Sequence, residues 1–312
     1  MKEILEATGY THIPVIIGPT ASGKSALAME LCRQTGGELI CCDSMQIYKG
    51  MDIGTAKDSR EEMLEVPHHM TDIVEPGTDY SVNDYVTEVL KVIPEILNRG
   101  KLPVLCGGTG QYVKALCTGM DLSDHRVSDD LIDELTREYE EKGIDDLYSR
   151  LEKADPEAAA KIHKNNTRRV LRALAVCMTF DKNFTQMSRE AVKGAEYPFK
   201  LFQIDWDRSI LYDRINKRVD LMIEDGLVDE VRRLYDSGVN TKSTCFQAIG
   251  YKEFAMYLKG DISLDDAVYE IKLRSRHYAK RQLTWFRYME DINMLKPEAM
   301  EEMLRKILLQ IS

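Results

Sequence analysis

The sequence predicts an α/β protein, with a P-loop parallel sheet core flanked by helices and an all-helical subdomain inserted into it. Apolar runs of strand length alternate with helical patterns over residues 1–118, which is typical of a parallel sheet. The strand pattern disappears over 119–198 and returns at 199. We therefore predict a core formed by 1–118 and 199–312, and a helical insertion at 119–198.

The first predicted strand, 12–17, leads into a glycine-rich loop that precedes a helical pattern over 26–32. Strand, G-x-x-x-x-G-K-S loop and helix in this order are typical of a phosphate cradle. Backbone N–H groups, the helix N-terminus and a lysine would bind an anion, and the final serine hydroxyl could hold Mg²⁺. A nucleotide or another diphosphate is the expected ligand. The loop consists of Gly18, Pro19, Thr20, Ala21, Ser22, Gly23, Lys24 and Ser25.

Two further strands, 38–42 and 102–106, end close to chemically informative residues. Asp43 follows the first of them, and Thr109 lies in the glycine-rich segment after the second. Ligands of open α/β sheets bind beyond the carboxyl ends of the strands, so Asp43 could act there as a general base. The alternative is an aspartate that only forms a turn or caps a helix.

The remaining elements follow from periodicity and capping residues. Ser81 and Gly100 bracket one helix as N-cap and C-terminal stop, and Pro297 suits the first turn of a closing helix. The pair His68-His69 is interpreted as loop rather than as a metal site. The other predicted helices are 112–116, 129–141, 145–153, 156–162, 167–179, 209–224, 228–235 and 264–289; 199–206 and 292–295 are predicted strands, and 49–57 is a predicted loop.

Bulk composition excludes several classes of protein. A chain of 312 residues with 44% hydrophobic and 30% charged residues is ordinary for a globular protein. A net charge of −10 argues against nucleic-acid binding over the whole surface, although a local basic face remains compatible with it. The seven cysteines form no C-x-x-C pair, and no apolar run is long enough to cross a membrane. We expect reduced thiols and a cytoplasmic protein that does not contact membranes.

A phosphate loop alone leaves kinases, ATPases, GTPases and other transferases open. Nucleotide hydrolases usually hold Mg²⁺ with an acidic residue at a strand end, but the strand at 102–106 is followed by Gly107-Gly108. Arg214 and Arg218 lie four residues apart on one predicted helix, so both could reach one diphosphate. They could equally form a solvated face paired with acidic neighbours.

Five segments together closely resemble the tRNA isopentenyltransferase family, also called the tRNA dimethylallyltransferases. The resemblance extends over nearly the whole chain. The segments are Gly18–Ser25, Asp43-Ser-Met-Gln-Ile-Tyr-Lys-Gly-Met-Asp-Ile-Gly-Thr-Ala-Lys57, Gly107-Gly-Thr-Gly110, Gln247-Ala-Ile-Gly-Tyr251 and Ala279-Lys-Arg-Gln-Leu-Thr-Trp-Phe-Arg287.

The resemblance implies prenyl transfer rather than phosphoryl transfer. The donor would be dimethylallyl diphosphate, and the acceptor would be the exocyclic amine of the adenine 3′ to the anticodon in tRNA. Matching positions assign Asp43 as the base and place Thr109 in the catalytic site beside the target nucleotide, and Arg218 is the better match to the diphosphate-binding arginine. Other matches imply that the donor is held by Thr20 to Ser25, and that tRNA is contacted by Asp43, Ser44, Met45, Gln46 and Thr109.

Two basic clusters stand out in this acidic chain and suit a clamp around an anticodon stem-loop. An isolated run of charges is usually a solvated helix face, but two runs beside the family pattern favour RNA binding. One departure concerns Ile132, which stands near a position where the family tends to place an RNA-contacting arginine. The expected RNA contacts are Arg168, Arg169 and Arg172 in the insertion and Arg276, Lys280 and Arg281 in the late helix.

Three rival functions remain at this point. A prenyltransferase acting on free adenine nucleotides would share the phosphate loop but would not need a basic clamp. A nucleoside or nucleotide kinase would use Asp43 on a sugar hydroxyl, and a nucleotide-gated RNA-binding module would have no catalytic activity. A monomer is expected, because one chain suffices for the clamp.

Overall fold

The computed structural model describes residues 2–121, 127–180 and 182–312. Parts of the predicted insertion, residues 122–126 and 181, lie outside these described ranges. Two compact units divide the chain: Met1–Cys117 with Glu196–Ser312, and Thr118–Ala195. The sequence placed the boundaries of the insertion at 119 and 198.

The first unit contains a sheet of six strands that all pair in parallel. The sequence-based prediction of a parallel α/β sheet is confirmed. The strands are β1 Ile13–Ile17, β2 Glu38–Cys41, β3 His68–His69, β4 Pro103–Gly107, β5 Phe199–Ile204 and β6 Ile292–Leu295. Their spatial order in the sheet is β3-β2-β4-β1-β5-β6.

The interpretation of His68-His69 as loop was wrong, because the two residues form the short edge strand β3, which pairs with Leu39 and Ile40 of β2. Side-chain bonds hold the strand in place. The His69 ring lies 2.7 Å from Glu38, and the His68 ring lies 3.0 Å from Asp58.

The register of the strands brings three chain segments to one edge of the sheet. Ile17 of β1 pairs with Gly107 of β4, and Cys41 of β2 pairs with Cys106. All five residues of β1 are buried, as expected for a central parallel strand covered on both faces. The segments that follow β1, β2 and β4 therefore begin side by side.

Helices of the first unit match most predicted spans to within two residues. Ser81 caps its helix as predicted, with its hydroxyl accepting the Asp84 amide and the Asp84 carboxylate accepting the Ser81 amide. The helices are α1 Lys2–Glu6, α2 Lys24–Thr35, α3 Arg60–Glu65, α4 Val82–Asn98 and α5 Gly110–Thr118, followed after the inserted unit by α11 Arg208–Glu224, α12 Leu227–Asp236, α13 Tyr251–Lys259, α14 Leu264–Arg287 and α15 Met300–Ile311.

The prediction for Pro297 was wrong. The closing helix α15 begins at Met300, because Ala299 before it has non-helical backbone angles, φ −57° and ψ 145°. Pro297 therefore lies in the bend between β6 and the helix.

The second unit has its own small cores, formed by residues such as Leu135, Leu147, Leu171 and Leu174. Its described part is helical except for one bridge between Met120 and Val192. The helices are α6 Asp129–Lys142, α7 Asp145–Ala154, α8 Pro156–Lys161, α9 Thr167–Thr179 and α10 Phe184–Glu190.

Across 2–121, 127–180 and 182–312, no helix has the length and apolar character needed to span a membrane.

Candidate functional site

The glycine-rich loop between β1 and α2 adopts backbone angles that require its glycines. Gly18 has φ 146° and Gly23 has φ 88°, in a region that side chains rarely tolerate. A Cβ at Gly18 would also lie 3.3 Å from the Ser22 hydroxyl. That hydroxyl is buried and has no hydrogen-bond partner within the described chain, so the loop contains a buried polar atom still available to a ligand.

Three carbonyl groups of this loop are held by side chains. Lys24 Nζ donates to the Pro19 carbonyl (3.3 Å), Arg214 Nε to that of Ala21 (2.8 Å), and Trp206 Nε1 to that of Ser22 (2.8 Å). The Arg214 guanidinium also lies 4.6 Å from the centre of the Trp206 ring. These bonds fix the loop in one conformation, which lowers the entropic cost of binding an anion.

Gln282 of α14 joins the same loop to the segment after β4. Its Oε1 accepts the Thr20 amide (3.0 Å), and its Nε2 donates to the Gly108 carbonyl (2.9 Å). Sequence reasoning included Gln282 in a family segment but gave it no role. Its partner Thr20 lies 262 residues away, so no local pattern could reveal the contact.

Hydrogen bonds join the turn that contains Asp43, after β2, to the segment that contains Thr109, after β4. Asp43 Oδ1 accepts the amide of Met45 (2.9 Å), which forms a tight turn. Thr109 Oγ1 accepts the amide of Ser44 (2.9 Å), and the Thr109 amide donates to the Cys42 carbonyl (3.1 Å). The two strand ends are thus linked directly.

A cavity of about 350 Å³ opens between these segments. Its lining includes both Asp43 and the loop lysine, together with the apolar side chains of Val219, Met222, Ile249 and Ile271. The sequence-predicted site residues that line the cavity are Thr20, Lys24, Ser25, Asp43, Ser44, Met45, Gln46, Arg218 and Arg281.

The cavity contains two half-buried cations, Lys24 and Arg218. Burial lowers the pKa of Lys24, and the charge of Arg218 adds to this effect while Asp43 opposes it. Burial also lowers the pKa of Arg218, against the attraction of Asp43 and Asp58. Desolvated positive charges of this kind favour an anionic ligand, whose binding would restore their missing interactions.

Tyr278 of α14 lies at the same site. Burial raises the pKa of its hydroxyl, and the nearby negative charge of Asp43 adds to the shift, while a hydrogen bond with Thr109 opposes it. The phenol is therefore neutral at physiological pH. Arg281 lies with its guanidinium 5.5 Å from the Tyr278 ring centre.

Ser25 is the one residue for which the sequence predicts a metal contact. Its hydroxyl is hydrogen-bonded to Cys106, and burial raises the pKa of that thiol to about 12. Cys106 is therefore a neutral thiol. In the described ranges no group of three or more histidine, cysteine, aspartate or glutamate residues is arranged to bind a metal.

Several predicted ligand-binding residues make bonds within the protein. Gln46 Nε2 donates to the carbonyls of Thr55 (3.0 Å) and Ala56 (3.2 Å). Arg276 Nη1 donates to Asn216 Oδ1 (2.7 Å). These contacts position the two side chains, and their predicted roles in RNA binding stay predictions.

The other predicted RNA contacts are exposed. Lys280 and Arg281 are exposed on α14 of the first unit. In the second unit, α9 exposes Arg168, Arg169 and Arg172, while its buried residues face the core of that unit. Ile132 packs at the edge of this helical core, and its apolar side chain offers no polar group for an RNA contact.

Glu230 of α12 holds a segment of the cavity wall in place, a role that the sequence analysis did not predict. Its buried carboxylate accepts the amides of Asp52 (2.9 Å), Ile53 (2.9 Å) and Gly54 (3.1 Å). Gly54 and Thr55 line the cavity. A lone glutamate in an amphipathic helix carries no pattern that predicts this role.

Family models and solved structures match most of the chain. A model described as IPP transferase matches residues 46–289, and one described as isopentenyl transferase matches residues 11–69. Among solved structures, the full-length tRNA isopentenylpyrophosphate transferase from Bacillus halodurans has a TM-score of 0.71 and 41% identity, covering 96% of this chain and 95% of that one. A eukaryotic dimethylallyltransferase acting on tRNA has a TM-score of 0.80 and 31% identity, covering 93% and 75%.

Curated relatives are also similar to this chain over most of its length, at higher sequence identity. The tRNA dimethylallyltransferase of Bacillus subtilis (strain 168) is 45% identical over 308 residues, which cover 96% of each chain. That of Acetivibrio thermocellus is 46% identical over 282 residues, covering 90% of each chain. The similarity therefore includes both units and every segment that lines the cavity.

Proposed function

The chain belongs to the IPP transferase family, and from this premise we propose that it transfers the dimethylallyl group of dimethylallyl diphosphate to tRNA. The acceptor is the exocyclic amine of the adenine 3′ to the anticodon. The bond between the allylic carbon and the diphosphate oxygen breaks, and its electron pair leaves with the diphosphate. The amine nitrogen forms the new bond to carbon and loses one proton.

The observation that carries this proposal is the placement of Lys24 and Arg218 in one cavity with Asp43. The two cations have pKa values lowered by burial, so they are arranged to stabilise an anion. Negative charge grows on the departing diphosphate during transfer, and preorganised cations and loop amides stabilise it most in the transition state. The apolar side chains that line the cavity are compatible with a hydrocarbon group on the same substrate.

Asp43 is proposed as the base that accepts the amine proton. One of its oxygens already holds the Met45 amide, which fixes the carboxylate at the end of β2. The second oxygen can accept a hydrogen bond from the adenine amine. Thr109, which holds the Ser44 amide, keeps this turn in place beside the acceptor.

A magnesium ion would fit the phosphate end of the cavity. The Ser25 hydroxyl offers an oxygen ligand, Asp43 and Asp58 line the same cavity, and Mg²⁺ prefers oxygen ligands shared with phosphates. When bound, the ion would neutralise charge on the diphosphate. Ser25 is the protein ligand that we assign to it.

The exposed arginines and lysines of α9 and α14 are proposed to bind the RNA backbone of the anticodon stem-loop. Phosphate contacts of this kind give affinity, whereas selection of one adenine requires that the base leave its stack and enter the cavity. The protein is proposed to act as a monomer in the cytoplasm.

The decisive experiment offers labelled dimethylallyl diphosphate and Mg²⁺ to the purified protein with either bulk tRNA or AMP. We expect label in tRNA, and mass spectrometry of the digested tRNA to identify dimethylallyl adenosine. Transfer to AMP alone would support the free-nucleotide prenyltransferase instead. A parallel reaction with ATP and nucleosides tests the kinase alternative, which predicts a phosphorylated acceptor and no prenylated product.

A further inference from the structure

Gln282 lies almost fully buried, 5% exposed, between the phosphate loop and the segment after β4. We propose that Gln282 is a positioning residue that sets the separation between the diphosphate cradle and the acceptor side of the active site. The inference rests on the proposed prenyl transfer and assigns this side chain a role within it.

The two partners of Gln282 require a carboxamide. The Thr20 amide needs an acceptor and the Gly108 carbonyl needs a donor, and the side chain supplies both at 3.0 and 2.9 Å. This pairing also fixes the orientation of the amide group. Of the uncharged side chains of this length, only glutamine provides both functions at once.

Gly108 is fitted closely to this side chain. A Cβ at Gly108 would lie 2.2 Å from Gln282 Nε2, a distance at which one of the two groups must move. The glycine therefore allows the carboxamide to reach the backbone between β4 and Thr109. The absence of a side chain at Gly108 and the presence of a carboxamide at Gln282 are therefore both needed for this contact.

The bridge joins the two halves of the reaction. Thr20 lies in the loop proposed to hold the diphosphate, and Gly108 precedes Thr109, whose hydroxyl holds the turn at Asp43. Nucleophilic displacement requires the attacking nitrogen to align with the leaving oxygen, and a misplacement near 1 Å can lower a rate about 100-fold. Gln282 lines the cavity, but both of its polar atoms are bonded to Thr20 and Gly108, so the role assigned to it is alignment.

One consequence concerns the cradle itself. The Thr20 amide is already bonded to Gln282, so the diphosphate is bound by other groups of the loop. The same helix α14 carries Lys280 and Arg281 on its exposed surface next to Gln282. RNA bound to Lys280 and Arg281 would therefore contact the same turn of α14 that carries Gln282, the residue that holds both loops.

The test is a double-mutant cycle between Gln282→Ala and Gly108→Ala, with exposed Gln34→Ala on α2 as the matched control. Gln282→Ala removes the bridge, and Gly108→Ala displaces it from the other side. Each single variant should lower kcat for dimethylallyl transfer at least about tenfold, with KM for the RNA changed less than about threefold. The double variant should be no slower than Gln282→Ala, because both changes break one bridge.

Thermal unfolding of each variant separates alignment from stability. A purely structural role would lower Tm and leave kcat per folded enzyme intact, and that result would overturn the proposal. Multiplicative losses in the double variant would also overturn it. If Gln282→Ala does not fold, Gln282→Met fills the space without the hydrogen bonds and takes its place in the cycle.

A binding measurement keeps the inference separate from the proposed function. If the wild-type protein prenylates no RNA, the proposed function fails, but calorimetric titration with inorganic diphosphate still tests the ordering of the loop by Gln282. Weaker diphosphate binding in Gln282→Ala than in Gln34→Ala supports the bridge. Equal binding argues against it.

Discussion

The Tyr251 hydroxyl donates a 2.6 Å hydrogen bond to the buried carboxylate of Glu230. Burial raises the pKa of Tyr251 well above its usual value, and the negative charge of Glu230 adds to the shift. The same carboxylate holds the three consecutive amides of residues 52–54. The position of Tyr251 also explains why residue 54 is a glycine, because a Cβ at Gly54 would lie 2.5 Å from the tyrosine ring.

Removing this anchor should destabilise the protein and loosen the cavity wall. We expect Glu230→Gln to lower the free energy of unfolding by roughly 2–3 kcal/mol, because an amide group would face buried N–H donors. Tyr251→Phe should cost about 1.5–3 kcal/mol through the loss of one hydrogen bond to a charged group. Urea unfolding measures both, and the exposed Tyr269→Phe is the control, expected within about 0.5 kcal/mol of wild type. If Glu230→Gln unfolds with the same free energy as the wild type, Glu230 is not the anchor of residues 52–54.

Replacing the proposed base should remove turnover and spare RNA binding. Asp43→Asn keeps an oxygen for the Met45 amide, so the turn is retained while the proton acceptor is removed. Single-turnover transfer should slow about 10²- to 10⁴-fold, with tRNA affinity within about twofold of wild type. Filter binding and product formation measure the two quantities. Near-normal turnover would eliminate Asp43 as the base, and a parallel loss of RNA affinity would indicate a binding role instead.

Lys24 and Arg218 should control use of the donor. Lys24→Ala and Arg218→Gln each remove a desolvated cation, and charge-assisted hydrogen bonds contribute roughly 1.5–3 kcal/mol. We therefore expect kcat/KM for dimethylallyl diphosphate to fall about 10- to 100-fold or more, with little change in tRNA affinity. Arg305→Gln, exposed on α15, is the control for removal of a positive charge. Equal losses of donor use and RNA affinity would contradict the assignment.

Sequence patterns predicted the parts of the fold that depend on local chemistry. A buried parallel strand such as β1 is apolar at every position, and Ser81 marks a helix start as its N-cap, to which the structure adds Asp84 as the second half of a capping box. The strand-end positions of Asp43 and Thr109 followed from this sheet, because parallel strands align their carboxyl ends.

The sequence analysis missed the helices α1, α3, α10 and α13, and it missed contacts between distant segments. Gln282 and Thr20 are separated by 262 positions, and Glu230 and Gly54 by 176. In both pairs the partner is a backbone group, which leaves no trace in residue type. The edge strand β3 was also missed, because two residues are too few to show a period.

Phosphate binding by the inserted unit should appear as a salt dependence. Arg168 and Arg169 are exposed on α9, and removing one phosphate-binding side chain should reduce the slope of log K against log salt by roughly 1. We expect Arg168→Ala and Arg169→Ala to weaken tRNA binding and flatten this slope, with kcat at saturating tRNA unchanged. Arg189→Ala in α10, where the arginine is paired with Glu157, serves as control. An unchanged slope would place the RNA elsewhere.

Asp155 should make the stability of the inserted unit sensitive to acid. Burial alone would raise the pKa of its fully buried carboxyl, but hydrogen bonds from the Ala158 amide and from Thr185 outweigh burial and hold the pKa below 3.8. A group whose pKa is lower in the folded state adds stability above its unfolded pKa. This contribution disappears as pH falls below 3.8 through the folded value.

Asp155→Asn provides the corresponding measurement. Its amide group would face the Thr185 amide, which now donates a 2.7 Å bond to Oδ2, so we expect a loss of roughly 2 kcal/mol at neutral pH. The stability difference from wild type should shrink as the pH is lowered past 3.8, because the unfolded wild-type chain then binds a proton that the folded carboxylate does not bind until the pH reaches its lower folded pKa. Urea unfolding across this range, with exposed Asp145→Asn as control, measures the difference. A constant difference at every pH would show that Asp155 acts through packing alone and not through its charge.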